Sequence, residues 1–395
     1  MKFAHIADCH LGGWRQPELL ELNTQTFKKA IDICIEEKVN FVLFAGDLFD
    51  SAFPAIETLK ETFSEFKRLK ESGIKSFLIA GSHDYSVSGK TFLEVLEKAG
   101  FCEICKYEEN NEAIILKPSK YETVYIYGYP GKKSGLEVQQ LKRIKIIEPY
   151  MNNFVILMLH TTISEAVNNM QIESISLSEL PIADYYALGH VHINYEADFN
   201  GKKVVYGGPL FPNNFKEIEE LKYGSFYIVE ISGYLKIIKK EIKIIESELI
   251  EIQITNALNG TQKIISELKK RSLENKIVLL KISGKITQGK PSDINFKEIQ
   301  EYVNKSNAFS FLKNTSGLEM ERFELAIDTQ KKDKDKIEEI LIKDYKKENP
   351  SKYNDLIIPL IETLSMEKQE DEKTVIFESR LISEVGNILN IDIEK

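Results

Sequence analysis

Ten side chains able to bind a metal ion or to move a proton follow apolar runs of the sequence, in five separate places. They are Asp8 and His10; Asp47 and Asp50; Ser82, His83 and Asp84; His160; and His190 and His192. Carboxylates and imidazoles bind divalent cations and also serve as general acids and bases. These five places are therefore the candidates for a reaction centre.

The ligand types favour a pair of transition-metal ions. Imidazoles mixed with carboxylates, without a thiolate, suit manganese, iron or zinc better than calcium. Asp47 is well placed to bridge two ions. Paired ions roughly 3.5–4 Å apart can clamp a phosphate, generate hydroxide at neutral pH and stabilise both the attacking and the leaving oxygen. The chemistry predicted from these residues is phosphate-ester hydrolysis.

The distribution of histidines supports one shared site. The chain has six histidines, and only His5 lies outside the five places. Taken alone, each motif favours a structural interpretation, such as an aspartate that caps a helix or a core histidine bonded to a backbone carbonyl. The whole series, with every member at the end of an apolar run, is much harder to obtain by chance. The combination predicts that these residues converge.

Alternating apolar runs and amphipathic segments must position these residues. Runs such as 41–46 and 154–160 are typical of buried strands, and residues 24–38, 55–71 and 88–100 repeat apolar residues at helical spacing. This alternation predicts an α/β domain with a largely parallel sheet over residues 1–240. Ligand sites in such sheets lie at the carboxyl ends of strands, where five loops can meet.

Two further regions are predicted after this domain. Residues 241–328 show a β-α-β-α-β pattern, with the last strand at 322–327, typical of a small α+β domain. Residues 329–395 form a linker and a tail of amphipathic helices that is too small to bury its apolar faces alone. The tail either packs on its own chain or docks onto a partner, and the sequence favours neither.

Composition restricts the setting in which the protein works. A formal net charge of −9 argues against a protein that coats nucleic acid by bulk charge, but it allows local contacts. Polar residues interrupt the N-terminal run, so no export signal is predicted, and no apolar stretch approaches the ~20 residues that span a bilayer. We expect a cytoplasmic protein with free thiols, including packed ones at Cys102 and Cys105.

The motifs resemble those of the calcineurin-like metallophosphoesterases. Within that superfamily, HIADCHLG, AGDLFDSAFP, GSHD and YYALGHVH are similar to phrases of the nuclease subunit of the DNA double-strand-break repair complex. This is the meiotic-recombination-eleven or SbcD family. The resemblance implies a four-layer α/β/β/α metallophosphoesterase sandwich with a small α+β cap and DNA-binding domain over residues 241–328 and a helical C-terminal tail. After about residue 240 the likeness is only architectural.

The resemblance also implies a role for each motif residue. The first metal would be held by Asp8, His10, Asp47 and His192, and the second by Asp47, Ser82, His160 and His190. His83 would be the catalytic histidine, which protonates the leaving oxygen or steadies the transition state, with Asp84 fixing its ring. The two divalent ions would be manganese.

The resemblance to this family also gives an expected activity and expected partners. The resemblance implies a metal-dependent exo- and endonuclease that processes DNA ends, acts as a homodimer and has no membrane role. It also implies a coiled-coil, SMC-like ATPase of the SbcC type that grips the C-terminal helices. Residues 335–395 would then be the ATPase-binding segment.

Two departures from the family pattern bear on the second metal. Ser82 stands where the family has an asparagine, and its shorter, neutral arm is expected to weaken that site. Thr161 and Thr162 follow His160 where the family has glutamine and glycine. We expect the site still to bind two ions, the second more loosely, and still to hydrolyse phosphodiesters.

Other activities and contacts stay open at this point. One alternative is a phosphatase or cyclic-nucleotide phosphodiesterase on the same scaffold, although Asp50 is followed by SAFP rather than by arginine and glycine. Another is a catalytically weak scaffold that holds DNA ends, which only Ser82 favours. Candidate DNA contacts are Trp14, Arg15 and Asp50, which lie in the loops after the first two motifs.

Overall fold

The computed structural model describes residues 1–86, 89, 91–132, 137–147, 153–167, 173–320, 342–343, 345–346, 351, 353–368 and 374–391. The chain divides into two compact units, Met1–Glu321 and Arg322–Lys395. All predicted metal and catalytic residues belong to the first unit. None of the described helices is both long and apolar enough to cross a membrane.

The strands and helices are numbered in chain order. The strands are β1 (Lys2–Ile6), β2 (Phe41–Ala45), β3 (Lys75–Ile79), β4 (Glu103–Ile104), β5 (Tyr107–Glu109), β6 (Ile114–Leu116), β7 (Ser119–Tyr121), β8 (Val124–Tyr129), β9 (Ile144–Lys145), β10 (Phe154–His160), β11 (Tyr185–Gly189), β12 (Asn194–Phe199), β13 (Lys202–Gly207), β14 (Gly224–Ser232), β15 (Tyr234–Ile242), β16 (Glu246–Gln253), β17 (Lys276–Ile286) and β18 (Ser310–Met320). The α-helices are α1 (Pro17–Glu36), α2 (Ile56–Glu71), α3 (Leu93–Lys98), α4 (Glu137–Leu141), α5 (Ser164–Val167), α6 (Phe215–Leu221), α7 (Gly260–Leu268), α8 (Phe296–Lys305), α9 (Ile357–Leu364) and α10 (Thr374–Leu389). Short 3-10 helices cover Leu177–Glu179, Pro291–Asp293 and Asn354–Leu356.

Two six-stranded sheets form the centre of the first unit. Their strand orders are β15-β14-β1-β2-β3-β4 and β12-β13-β11-β10-β8-β7. Strands β1 to β4 are parallel, as are β8, β10, β11 and β13, so each sheet presents several carboxyl ends at one edge. This arrangement confirms the predicted parallel α/β organisation and places the motif loops together.

Three apolar layers hold the sandwich together. Phe3, Phe41 and Phe77 of the first sheet pack against Ile156 and Tyr185 of the second in one buried cluster. A second cluster joins the outer face of the first sheet to α1 and α2, and a third covers the outer face of the second sheet with α4. Burying apolar faces on both sides of each sheet stabilises the stack. The predicted four-layer α/β/β/α architecture is confirmed.

Helix α1 begins seven residues before its predicted start. Pro17 lies in its first turn, where a missing N–H costs nothing, and Leu19 and Leu22 extend the buried face. Helix α2 matches its predicted range to within one residue, whereas α3 is described only over Leu93–Lys98. Helix α1 thus extends as far as its buried apolar face continues.

A third sheet of three parallel strands, β16-β17-β18, follows the sandwich. Helices α7 and α8 connect its strands, so the predicted β-α-β-α-β order is observed. The third strand of this sheet, however, is Ser310–Met320, where the sequence pattern predicted no strand. Polar residues and Gly317 obscure the strand in the sequence, but it pairs along most of β17, and residues 322–327 lie outside the described ones.

The second unit contains two described amphipathic helices, α9 and α10, which pack against each other. They coincide with two of the three predicted tail helices. The third, predicted at 337–345, lies mostly outside the described residues. The four cysteines are free, and burial raises the pKa of the Cys102 and Cys105 thiols to about 12, as expected for packed thiols.

Candidate metal centre

The five motif loops meet at the carboxyl ends of β1, β2, β3, β10 and β11. The loop after β1 bonds to the loop after β2, because the Asp8 N–H donates to Gly46 O at 3.1 Å and the His10 N–H to Asp47 O at 3.0 Å. Asp8, His10, Asp47 and His190 all have positive φ angles, which non-glycine residues rarely adopt. The backbone is therefore held in unusual conformations at the residues expected to bind metal.

The residues expected to hold the first metal converge. His10 Nε2 and His192 Nε2 lie 3.0 Å apart, although they come from different sheets. His10 Nε2 is 3.6 Å from Asp47 Oδ2, and His192 Nε2 is 4.0 Å from Asp8 Oδ1. Two carboxylates and two imidazoles thus present ligand atoms to one small volume.

The residues expected to hold the second metal adjoin this group. His160 Nε2 is 3.1 Å from Asp47 Oδ2, and Ser82 Oγ donates to the same oxygen at 3.4 Å. The His190 ring packs edge-on against His160, with 5.0 Å between centroids, and its backbone N–H donates to Asp8 Oδ1 at 2.9 Å. Asp47 lies between the two groups, as a bridging ligand must.

One buried atom indicates that these ligands are arranged for a cation. His160 is 1 % exposed, and its Nε2 lies 3.1 Å from Asp47 Oδ2 as an ion-pair contact without hydrogen-bond geometry. A buried polar atom without a partner is costly unless something absent from the polypeptide satisfies it. Imidazole and carboxylate ligands fit a divalent transition metal. The residues present therefore fit the metal ions that the fold implies.

Burial and mutual charge change the acidity of the two buried aspartates in opposite directions. Burial raises the pKa of Asp8 above its ordinary value, against the opposing charges of His192 and His160. Burial also acts to raise the pKa of Asp47, but the positive charges of His160 and His10 outweigh it and lower that pKa. Asp47 is thus the carboxylate most strongly kept ionised.

The imidazoles respond in the complementary way. Burial opposes the charged form of His160, but the Asp47 carboxylate raises its pKa to about 10. For His192, burial is likewise overcome by the hydrogen bond to Glu217, and the pKa rises to about 9. Burial and the charge of His160 lower the pKa of His190 to about 4. Divalent cations compete with protons for His160 and His192, so metal binding there would release protons.

Glycines allow these loops to approach each other closely. A Cβ on Gly81 would lie 2.2 Å from Asp47 Oδ1, and a Cβ on Gly46 would lie 2.2 Å from His160 Nδ1. Both distances are far below van der Waals contact. The glycines that precede Ser82 and Asp47 in the sequence are therefore required by the packing of the ligands themselves.

His83 lies at the solvent-facing side of the cluster. Its side chain is 47% exposed, and its ring is edge-on to His10 with 4.8 Å between centroids. Its backbone N–H donates to Asp47 Oδ1 at 2.8 Å, and its Nδ1 is 2.9 Å from Asp50 O. His83 is thus next to the ligands and reachable by a substrate, as a proton donor must be.

Asp84 does not have the contacts that were expected for it. Its carboxylate is buried and accepts N–H groups from Gly81 at 2.8 Å, Phe49 at 3.0 Å and Leu48 at 3.3 Å. Among the described contacts, the His83 ring is held by Asp50 and not by Asp84. The expected role is corrected: Asp84 ties the loop after β3 to the loop after β2. Burial and the charge of Asp47 raise its pKa to about 7.

Three residues join the site in ways that the sequence interpretation missed. Asp50, expected as a DNA contact, accepts a hydrogen bond from His10 Nδ1 at 3.0 Å. Glu217 lies 2.9 Å from His192 Nδ1, and the Asn213 side chain donates to Asp50 Oδ1 at 3.5 Å. The segment NNFKE carries a helix-start pattern, in which Asn214 accepts the Glu217 N–H. From the sequence, that pattern could have shown that Glu217 lies in the first turn of a helix that follows a strand. It could not have shown that Glu217 contacts His192.

Trp14 and Arg15 differ in their surroundings. Trp14 is buried, its Nε1 donates to Pro212 O at 3.1 Å, and its ring packs on Phe211. These contacts give Trp14 a packing role in the core. Arg15 is exposed. A DNA contact at either position stays a prediction.

Comparison with known proteins places the chain among phosphoesterases and DNA repair proteins. The family model described as calcineurin-like phosphoesterase matches residues 1–194. The DNA double-strand break repair protein Mre11 of Methanocaldococcus jannaschii is 31% identical over 263 residues, which are 64% of this chain and 67% of that protein. Mre11 of Archaeoglobus fulgidus is 27% identical over 307 residues, which are 72% and 68% of the two chains.

Two further similarities were found. The uncharacterized metallophosphoesterase YhaO of Bacillus subtilis is 27% identical over 245 residues, which are 59% of this chain and 58% of that protein. Among solved structures, a dimetal phosphatase from Danio rerio aligns with a TM-score of 0.37 and 10% identity, covering 61% of this chain and 95% of that one.

Proposed function

The chain belongs to the Mre11 family of DNA double-strand break repair proteins, and on that premise we propose that it is a two-metal nuclease acting at DNA ends. It is a metal-dependent phosphoesterase of the calcineurin-like class. The convergence of the ligands around Asp47, with His83 beside them, is the observation that carries the proposal. The specific substrate, a phosphodiester of DNA, follows from the family.

Each ion would have its own ligands and share one carboxylate. We assign Asp8, His10, Asp47 and His192 to one ion and Asp47, Ser82, His160 and His190 to the other, with manganese as the metal. When bound, two such ions supply charge stabilisation at a phosphate and activation of a water nucleophile. The residues of this chain hold the ligand atoms in place through the backbone bonds between the loops after β1 and β2.

His83 would serve as the proton donor to the leaving oxygen. Its Nδ1 is engaged by Asp50 O, so Nε2 is the nitrogen that remains for proton transfer. Its half-exposed position lets a substrate approach from solvent. A positioned general acid of this kind typically contributes about 10²- to 10⁴-fold to the rate.

Digestion of linear duplex DNA with manganese tests the activity. We expect cleavage that requires the metal, is lost in Asp47→Ala and is strongly reduced in His83→Ala. Lys67→Ala, which removes an exposed ion pair with Glu71 on α2, is the matched control and should cleave normally. DNA binding without cleavage would favour the scaffold, whereas turnover of phosphomonoesters or cyclic nucleotides alone would favour the other phosphoesterases. Either result would reject the proposal.

The C-terminal helices are proposed as the docking segment for a coiled-coil ATPase. Helices α9 and α10 expose large apolar side chains, including Ile358 at 42%, Ile376 at 57% and Ile382 at 49%. Exposed apolar side chains in such a short unit favour binding to another surface. We expect the full chain to co-purify with the ATPase and a chain truncated at residue 335 to lose it while keeping DNA cleavage.

We propose that the protein is also a homodimer. Phe53 is 72% exposed and Ile56 is 78% exposed, and Val95 nearby is 47% exposed. Phe53 and Val95 line one surface pocket, and Ile56 follows Phe53 by three residues, so a second copy could cover these apolar side chains. The mass in solution by light scattering should be that of two chains and should fall to that of one in Ile56→Asp.

A further inference from the structure

We infer that Glu217 is a positioning residue of the metal centre and that it forms, with Asp50, a pair of carboxylates behind the two histidines of the first metal. This inference rests on the proposed metal-dependent function. Glu217 lies in α6, 25 residues after the last motif histidine, and it was not among the predicted ligands.

The two histidines are held in the same way. Their Nε2 atoms face each other at 3.0 Å, on the side where the ligand atoms of Asp8 and Asp47 also lie. On the opposite side of each ring, Nδ1 meets a carboxylate: Asp50 Oδ1 at 3.0 Å from His10, and Glu217 Oε1 at 2.9 Å from His192. A carboxylate on Nδ1 keeps the proton there and leaves the Nε2 lone pair free for a metal ion.

Asn213 connects the two carboxylates. Its backbone N–H donates to Glu217 Oε2 at 2.7 Å, and its side-chain amide donates to Asp50 Oδ1 at 3.5 Å. Both oxygens of Glu217 are therefore used: Oε1 by His192 Nδ1 and by the Asn214 side-chain amide at 2.6 Å, and Oε2 by the Asn213 N–H. A rotation of the Glu217 side chain would break all three contacts at once, so the two histidines are positioned by one connected network.

Helix α6 holds Glu217 at a fixed place. Asn214 accepts the Glu217 N–H at 3.0 Å at the start of the helix. Ile218, the next residue, is buried in a cluster with Trp14 and with Ile277 and Leu279 of β17. Glu219 on the same helix forms an ion pair with Lys281 of β17. The carboxylate that holds His192 is thus anchored to the third sheet as well as to the sandwich.

Loss of this carboxylate should weaken metal binding rather than prevent folding. Removing a partner of a metal-bound histidine typically lowers metal affinity or activity about 10- to 100-fold. Glu217→Ala frees the His192 ring to rotate and lets its proton move to Nε2. We expect the affinity for one of two manganese ions to fall by about that factor, with the other ion affected less.

Calorimetric titration of the full chain with manganese tests the role. The matched control is Glu220→Ala on the same helix, which removes an exposed ion pair with Lys216 and is expected to keep wild-type affinity. Glu217→Gln keeps an acceptor for His192 Nδ1, so its affinity should lie between those of wild type and Glu217→Ala. Wild-type affinity in Glu217→Ala, or an equal loss in Glu220→Ala, would overturn the inference.

Two further results keep this test separate from the proposed function. If Glu217→Ala does not fold, Glu217→Asp decides, because its shorter arm retains the charge but moves the carboxylate away from His192. Wild-type affinity in that variant would also overturn the inference. If the wild-type chain binds no manganese, both the proposed two-metal function and the positioning role are rejected. If the wild-type chain binds manganese and the Glu217 variants bind it equally well, only the positioning role is rejected.

Discussion

His10 Nε2 and His192 Nε2 lie 3.0 Å apart, although 182 residues separate the two histidines in the chain. His10 follows β1 in the first sheet and His192 follows β11 in the second, so the distance depends on how the two sheets stack. Because the sheets are joined by a fully buried apolar layer, the two nitrogens are held together before any ion is bound.

His83 and Asp84 are adjacent but should respond to mutation in opposite ways. We expect His83→Ala to lower cleavage by about 10²- to 10⁴-fold with little loss of stability, since the ring is half exposed. Asp84→Ala should lower the free energy of unfolding by about 2–4 kcal/mol, because three backbone N–H groups lose their acceptor. Denaturant unfolding and cleavage assays on both variants check this, and equal losses of stability would contradict it.

Gly81 should not tolerate a side chain. The added methyl of Gly81→Ala would lie 2.2 Å from Asp47 Oδ1 and 2.3 Å from Asp47 N, so either the loop or the ligand must move. We expect a loss of about 1–3 kcal/mol in unfolding free energy, together with weaker manganese binding. Gly207→Ala is the control, because its methyl would meet Ala7 Cβ at an ordinary 3.4 Å. Similar behaviour of the two variants would show that the contact at Asp47 is easily relieved.

Ser82 should limit the affinity of the second metal. Its hydroxyl reaches Asp47 Oδ2 at 3.4 Å, and a longer amide arm would offer an additional oxygen ligand. We expect Ser82→Asn to tighten binding of the second manganese ion about tenfold, a change of about 1.4 kcal/mol, and to raise the cleavage rate. Ser51→Asn, in the exposed loop after β2, should bind like wild type. Unchanged affinity and rate in Ser82→Asn would refute the expected weakening.

His5 should make the protein sensitive to acid. Burial lowers its pKa from 6.5 to about 3, and its Nδ1 lies 3.0 Å from the Tyr185 hydroxyl. The unfolded chain takes up the proton below pH 6.5, while the folded chain resists it until about pH 3. Stability from this residue is therefore complete above about pH 6.5 and falls as the pH decreases, by about 1.4 kcal/mol per unit.

The variant His5→Phe isolates this contribution. It cannot take up a proton in either state, so its unfolding free energy should depend less steeply on pH between 6 and about 4 than that of wild type. Urea unfolding at several pH values in a metal chelator measures both slopes. Parallel curves would mean that other groups determine the acid sensitivity.

Residue types and their local spacing determined much of this protein from the sequence. Apolar runs that end in aspartate, histidine and glycine predicted the strands, the edge at which the loops meet and the candidate metal ligands that converge there, because burial and backbone conformation leave periodic patterns. Local patterns also predicted α2 and the alternating order of the third sheet. They failed for β18, where Asn314, Thr315 and Ser316 interrupt the apolar run although the strand pairs with β17.

Only the tertiary structure decided which carboxylate or carbonyl hydrogen-bonds to which histidine. Asp84 neighbours His83 in the sequence, yet its carboxylate bonds to the backbone of the loop after β2, and Asp50 holds the His83 ring. Glu217 carries no signal in the sequence that connects it to His192. Such contacts depend on the stacking of the two sheets and on the positive φ angles of the loops, and neither leaves a periodic pattern in the chain.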